Sequence, residues 1–309
     1  MAPIGAASAP IPRTEALHRA RHRASLVPEL LVEARKLVNT VIAGWHGRKK
    51  RGVGENFWQY RPYREGEHLA RIDWRRSARD DQTYVRDMEW EAAHTVWVWC
   101  DLGPSMLFQS KGSRTSKEYR ALVVTLALAE LLGRSGERIG FPGLMRPASA
   151  RNAAERLAAT ITNAPPNMLT STPQLQGVQR HSEVILISDF LTPDVNYQEL
   201  IADIGHRGAR LHLVEVVDPA EEDFPYEGRT EFRDPVTGER LTVGRAQDWL
   251  SDYRNIYNAR RDDLARSCRN QGGSYTVSRT DKLASETLVH LHGYLTGNPA
   301  PVRQRSAAG

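Results

Sequence analysis

A chain of 309 residues, 40% hydrophobic and 26% charged, has the composition of a soluble globular protein and room for one large domain or two. Its two cysteines exclude a disulfide framework, and its longest apolar runs, Thr95–Cys100 and the Thr- and Glu-interrupted Ala121–Leu132, fall short of the roughly 18 residues a membrane span needs. The net charge of +5 is confined to the first third: residues 1–91 hold 17 Lys and Arg against 12 Asp and Glu, and the remainder holds 25 of each.

The N-terminus MAPIGAASAPIPRTEALHRARHR lacks an apolar core of signal-peptide type, so the expected compartment is the cytoplasm. Residues 1–13, rich in Ala and Pro, are expected to be disordered. Helical patterning begins at Thr14. Leu30, Leu31, Ala34, Leu37, Val38, Val41 and Ile42 share one face at helical spacing, Glu29, Glu33, Arg35 and Lys36 lie opposite, and Pro28 is expected in the first turn. That face needs a partner surface. The basic run His46–Arg51 and the glycines at 52 and 54 read as a loop.

From Gly54 to Asp101 aromatics alternate with arginines, and acids follow at short range. The pattern predicts short strands at Phe57–Tyr60 and Thr83–Glu91, a turn at Arg64–Gly66 and a short helix within Leu69–Ala78. Strands and helices then alternate. Strand Thr95–Asp101 precedes helix Ser116–Leu132, strand Arg138–Phe141 precedes helix Ala150–Thr162, and a loop with Pro165 and Pro166 leads to strand Glu183–Ser188. A helix at Val195–His206 and strand Ala209–Val217 follow. This rhythm implies an α/β fold with a mostly parallel sheet covered on both faces. A hairpin, Arg229–Arg233 and Glu239–Val243, is inserted within 223–243. Helix Arg245–Asn270, strand Ser274–Ser278 and helix Lys282–Leu295 complete the fold before a polar tail from residue 297. Cys100, ending an apolar strand, reads as a small buried hydrophobe.

The residues Arg61, Tyr63, Gly66, Glu67, Arg71, Ile72, Asp73, Trp74, Ala78, Arg79 and Glu91, followed by a strand ending in DLGPS, resemble the pattern of the DUF58 family, a large bacterial family of uncharacterised function. Glu67 stands where the family more often has Asp. The resemblance implies a von Willebrand factor A-like, Rossmann-like domain at 93–296 behind an N-terminal segment at 14–92, with a flexible tail at 297–309. It also implies work beside a MoxR-type AAA+ ATPase and membrane-anchored von Willebrand A proteins. This chain shows no membrane helix of its own, so any membrane contact is expected to be indirect.

In open α/β sheets ligands collect at the carboxyl ends of the strands, and two predicted strands here end in Asp101 and Asp189. Von Willebrand A domains with a metal-ion-dependent adhesion site carry Asp-x-Ser-x-Ser in the first loop, a Thr in a second and an Asp after the fourth strand. Asp101, Ser105 and Asp189 match, with Thr170 or Thr172 as the loop threonine, and such hard oxygen ligands would suit Mg²⁺. Gly103 replaces the middle Ser and removes one ligand. The competing reading has both aspartates satisfying loop amides or arginines.

The set Arg61, Arg71, Asp73, Arg79 and Glu91 has two readings. A network of arginine–carboxylate pairs would fix or dock the segment; an enzyme would use Asp73 or Glu91 as general base with arginines holding an anion. No Ser-His-Asp or Cys-His arrangement, zinc spacing or phosphate loop is legible beside it. Nucleic-acid binding rests on composition alone, aromatics interleaved with arginines serving a packed segment equally well. The favoured expectation is a non-enzymatic adaptor.

Overall fold

The computed structural model describes residues 13–46, 59–63, 72–79, 82–87, 94–165, 168–169, 171–235 and 237–296, without the side chains of 13–17, 44–46, 59–61 and 86–87. Expectations for the first twelve residues, the basic run from residue 47 and the tail from 297 lie outside them. In chain order the elements are α1 Arg13–His46, β1 Gln59–Pro62, α2 Trp74–Ser77, β2 Tyr84–Asp87, β3 Thr95–Cys100, α3 Lys117–Arg134, β4 Arg138–Phe141, β5 Met145–Ser149 and α4 Ala153–Asn163. Then come β6 Glu183–Ser188, α5 Tyr197–His206, β7 Arg210–Val217, α6 Pro219–Asp223, β8 Thr230–Arg233, β9 Arg240–Val243, α7 Leu250–Asn270, β10 Ser274–Arg279 and α8 Ala284–Leu295. Two compact units divide the chain: one runs to Ile42 and resumes at His94, and the other is Ala43–Ala93.

In the larger unit the sheet order is β10-β7-β6-β3-β4-β5, parallel throughout except for β5, which pairs antiparallel with β4. The strands β3, β6 and β7 read as near-continuous apolar runs because both their faces are covered, which parallel sheets require. From β3 the chain steps toward β4, whereas from β6 it steps the other way to β7 and β10. Right-handed crossovers therefore put α3 on one face and α5 and α7 on the other. The edge strand β5 was not anticipated. Its sequence MRPAS has no β-branched residue and holds a proline, which only an edge strand tolerates.

Helix α3 is buried almost all round; every residue from Lys117 to Gly133 except Tyr119 is inside. The reason is α1, which runs parallel to α3 on the side away from the sheet. Arg23 bonds Glu118, Glu33 accepts from the Tyr119 hydroxyl, Leu30 faces Leu122 and Leu126, and Asn39 accepts from Arg134. Of the predicted apolar face Leu30, Ala34, Val38 and Val41 are buried, the leucine and valines contributing about 1.5–3 kcal/mol each, while Leu31, Leu37 and Ile42 are half-buried. Pro28 lies inside this 34-residue helix, not in its first turn. The interior proline costs about 3 kcal/mol, and anchoring on both sides of it, by buried Arg23 and by Leu30, offsets that cost. Packing thus assigns α1, up to Ile42, to the sheet unit rather than to the segment that follows it.

The inserted hairpin β8–β9 pairs antiparallel as predicted, with Gly238 at φ +75° in its turn, a conformation glycine adopts without penalty. Phe232 on β8 stacks against Phe224, which packs on Tyr253 of α7. In the smaller unit β1 and β2 form an antiparallel pair, Tyr60 opposite Arg86, and Ile72 bridges to Val85; Ile72 and Val85 are its buried apolar residues among those described. Among the described residues no helix is long and apolar enough to cross a membrane.

Candidate functional site

The switch in crossover direction falls between β3 and β6, and the residues that follow these two neighbouring strands are Asp101 and Asp189. Both carboxylates are buried, at 0% and 1% exposure. Asp101 accepts from the Gly103 N–H through Oδ1 and from the Ser188 hydroxyl through Oδ2, each at 2.8 Å. Asp189 accepts from the Leu191 N–H at 3.0 Å and from the Lys117 ammonium at 2.8 Å. Lys117 is 1% exposed. It also pairs with Glu221 and lies 5.7 Å from the Phe108 ring centroid.

Burial, reinforced by the neighbouring Asp189 charge, pushes the Asp101 carboxyl up to about 7 against the opposing pull of Gly103, Ser188 and Lys117. Burial alone would lower the Lys117 pKa, but Asp189 and Glu221 outweigh it and raise it, so the lysine stays an ammonium. Glu221 is positioned by a capping box: Asp218 caps α6 through the Ala220 N–H at 2.9 Å, and Glu221 returns a bond to the Asp218 N–H at 3.0 Å. Asp218 also accepts from the Ser110 N–H at 2.9 Å, joining α6 to the loop between β3 and α3.

The expected magnesium ligands are brought together only in part. Asp101 and Asp189 share the centre, and Ser105 is buried in a 3₁₀ turn at Pro104–Leu107. Thr172 is exposed, and Thr170 lies outside the described residues. Ser171, between them, is the loop residue that meets Gly103: a Cβ at position 103 would stand 2.5 Å from its hydroxyl oxygen and 3.0 Å from Asp101 Oδ1. Mg²⁺ wants about six oxygens in an octahedron. Here the carboxylate oxygens are engaged by amides, a hydroxyl and an ammonium, and among the described residues no group of three or more His, Cys, Asp or Glu side chains is placed to hold a metal ion. The residues as placed do not fit a divalent ion.

Two residues that the sequence reading missed, Lys117 and Glu221, dominate this centre. Both carry a signal. A lysine immediately after the N-cap Ser116 opposes the helix dipole, which favours acids at that end. Asp-Pro-Ala-Glu at 218–221 is a capping-box pattern with proline at the first helical position.

Beside the centre the same sheet edge is laced with ion pairs. Buried Glu215 accepts from Arg260 at 2.5 Å, Arg261 at 2.6 Å and the Tyr275 hydroxyl. Arg261 and Arg279 both hold Glu222, and Arg260 donates to the backbone carbonyls of Asp189 and Phe190. Between the β3–α3 loop and the α6 region opens a cavity of about 530 Å³, walled by Phe108, Lys111, Pro219, Pro225 and Tyr226. At the opposite ends of the strands, His212 joins Ser274 (2.7 Å) and Glu183 (2.9 Å). That set has the membership of a hydrolase triad. Ser274 is 2% exposed and His212 1%, so no substrate reaches them, and the three tie β6, β7 and β10 together. Cys100 and Cys268 are free and buried; burial pushes the Cys100 thiol up to about 12, which makes it inert.

In the smaller unit the motif residues that are described serve local structure. Asp73 caps α2 through the Arg76 N–H at 3.0 Å, and its own N–H donates to the Tyr84 carbonyl at 2.9 Å. The Tyr63 N–H donates to the Thr83 carbonyl at 2.7 Å. Arg76 lies over the Tyr84 ring at 4.8 Å. Trp74 is 64% exposed, and Arg79 is exposed too. Gly66, Glu67, Arg71, Glu91 and the Arg61 side chain lie outside the described residues.

The mostly parallel sheet covered by helices on both faces places the chain in the α/β class. Residues 59–263 match the family described as "Protein of unknown function DUF58", and the chain belongs to that family. It is 25% identical over 274 residues to an uncharacterized protein of Mycobacterium tuberculosis, covering 84% of this chain and 85% of that one. Among solved structures it is similar to an aerotolerance-related membrane protein from Bacteroides fragilis, at 13% identity and a TM-score of 0.41, over 66% of this chain and 100% of that one. The hypothetical protein BatB from Bacteroides thetaiotaomicron matches at 12% identity and a TM-score of 0.38, over 66% and 98%.

Proposed function

We propose that this chain is a non-enzymatic adaptor or scaffold with a von Willebrand A-like sheet unit. It works in the cytoplasm beside a MoxR-type AAA+ ATPase in assembling or remodelling protein complexes, and membrane-anchored von Willebrand A proteins are its route to any membrane. One observation carries the reading. Asp73, one of the two carboxylates an enzyme would use as general base, caps α2 through the Arg76 N–H, while the adjacent Trp74 of the same motif is 64% exposed. An exposed tryptophan at the start of a capped helical turn is the kind of side chain that anchors a protein partner. The apolar cavity beside Phe108 and Tyr226 offers a second place for a partner side chain.

The test is a crosslinked pull-down of the tagged chain from its own cell lysate, with partners identified by mass spectrometry. The wild type is expected to recover an AAA+ ATPase in stoichiometric amounts. Trp74→Ala should cut that recovery by about tenfold or more, the effect of losing an anchor of about 1.4–2 kcal/mol, with an unchanged Tm. Recovery of no ATPase contradicts the adaptor reading. So does a turnover, found by substrate screening, that a folded Asp73→Asn variant loses.

A further inference from the structure

We infer that the Lys117 ammonium is the resident cation of the strand-end centre, held by Asp189 and Glu221 in place of a divalent ion. The inference rests on the larger unit alone and is independent of the adaptor reading.

The geometry assigns the role in three ways. First, Lys117 Nζ reaches Asp189 Oδ2 at 2.8 Å and pairs with Glu221 on its other side, so one cation spans carboxylates from two separate strand-end loops. Second, the ammonium is wholly enclosed. Its stem rises from the first turn of α3, and the Phe108 ring closes over its head. A buried ammonium is stable only with carboxylates around it, and these carboxylates are stable only with a cation between them. Third, the space that a further ligand would need is filled by the chain itself, since the Ser171 hydroxyl occupies the position of a side chain at 103. The centre is thus built shut, with both ion and ligand supplied internally.

A tethered ammonium differs from a bound ion in one respect that matters. It cannot dissociate, so the loops after β3, β6 and β7 stay joined at any magnesium concentration. It also has no open coordination position, and a partner's carboxylate cannot complete it.

The test is Mn²⁺ binding followed by electron paramagnetic resonance, with thermal melts in EDTA and in millimolar Mg²⁺, on the wild type and on Lys117→Met. The wild type is expected to show no saturable Mn²⁺ site and the same Tm in both solutions. Lys117→Met keeps the length and removes the charge. Its Tm in EDTA should fall by about 10 °C, the consequence of leaving buried carboxylates unpaired. Saturable Mn²⁺ binding by the wild type that Asp101→Asn abolishes overturns the inference. A Lys117→Met protein with an unchanged Tm in EDTA overturns it equally. Where Lys117→Met does not fold, the wild-type titration alone decides.

Discussion

Asp101→Asn separates a carboxyl held neutral by its surroundings from one held ionised by a metal. In the fold this carboxyl is raised from 3.8 to about 7, chiefly by burial. The folded chain therefore keeps a proton that the unfolded chain releases near pH 4, and stability falls as pH rises from about 4 through 7. The full displacement corresponds to about 4 kcal/mol, of which about 2–3 kcal/mol falls between pH 5 and pH 8. Asparagine retains an acceptor for the Gly103 N–H and can donate to Ser188, but it carries no charge at either pH. Urea unfolding of both proteins at pH 5 and pH 8 reads the difference. The stability of Asp101→Asn relative to wild type should rise by about 2–3 kcal/mol between the two. A gap that stays constant, or that turns against the variant at pH 8, refutes the reasoning, because an ionised and paired Asp101 gives that result.

Two further outcomes follow from burial. Arg23 pins α1 by donating to Glu118 at 2.7 Å and to the Leu102 carbonyl at 3.0 Å, with both charged side chains under 10% exposed. Arg23→Ala leaves Glu118 buried without its cation and should cost about 3–5 kcal/mol in urea unfolding; a loss below about 1 kcal/mol would show that α1 is not held this way. His292 is pushed down to about 4 by burial, from 6.5. Its folded form takes up fewer protons than the unfolded chain, so it contributes stability above pH 6.5 that is lost as pH falls toward 4. His292→Gln should flatten the stability profile over that window, and an unaltered acid slope contradicts the assignment.

The strands β3, β6 and β7 were legible because burial on both faces writes them as apolar runs, and the hairpin because alternation and an Asp-to-Gly turn mark it. Strand β5 was not, since an edge strand has a single neighbour to satisfy and its composition is free to resemble a loop. Pro28 misled for a related reason. Local propensity places a proline at a helix start, but the contact of α1 with α3 decides where that helix runs. At the site, Asp101 and Asp189 could be found from their place after apolar strands. Glu221 is distant in sequence and enters through α6, so only the fold brings it to Lys117. Thr170 and Thr172 could not be told apart by spacing, and the residue that fills the gap at Gly103 is Ser171, whose role depends on a close approach that sequence does not encode.

The central claim is that this sheet edge carries its own cation. A crystal structure grown in Mn²⁺, with anomalous difference maps at the manganese edge, tests it most directly. The account predicts no anomalous peak between Asp101 and Asp189, and Lys117 Nζ within hydrogen-bonding distance of Asp189 and Glu221. An anomalous peak on those aspartates, with the Lys117 side chain displaced toward solvent, would contradict it.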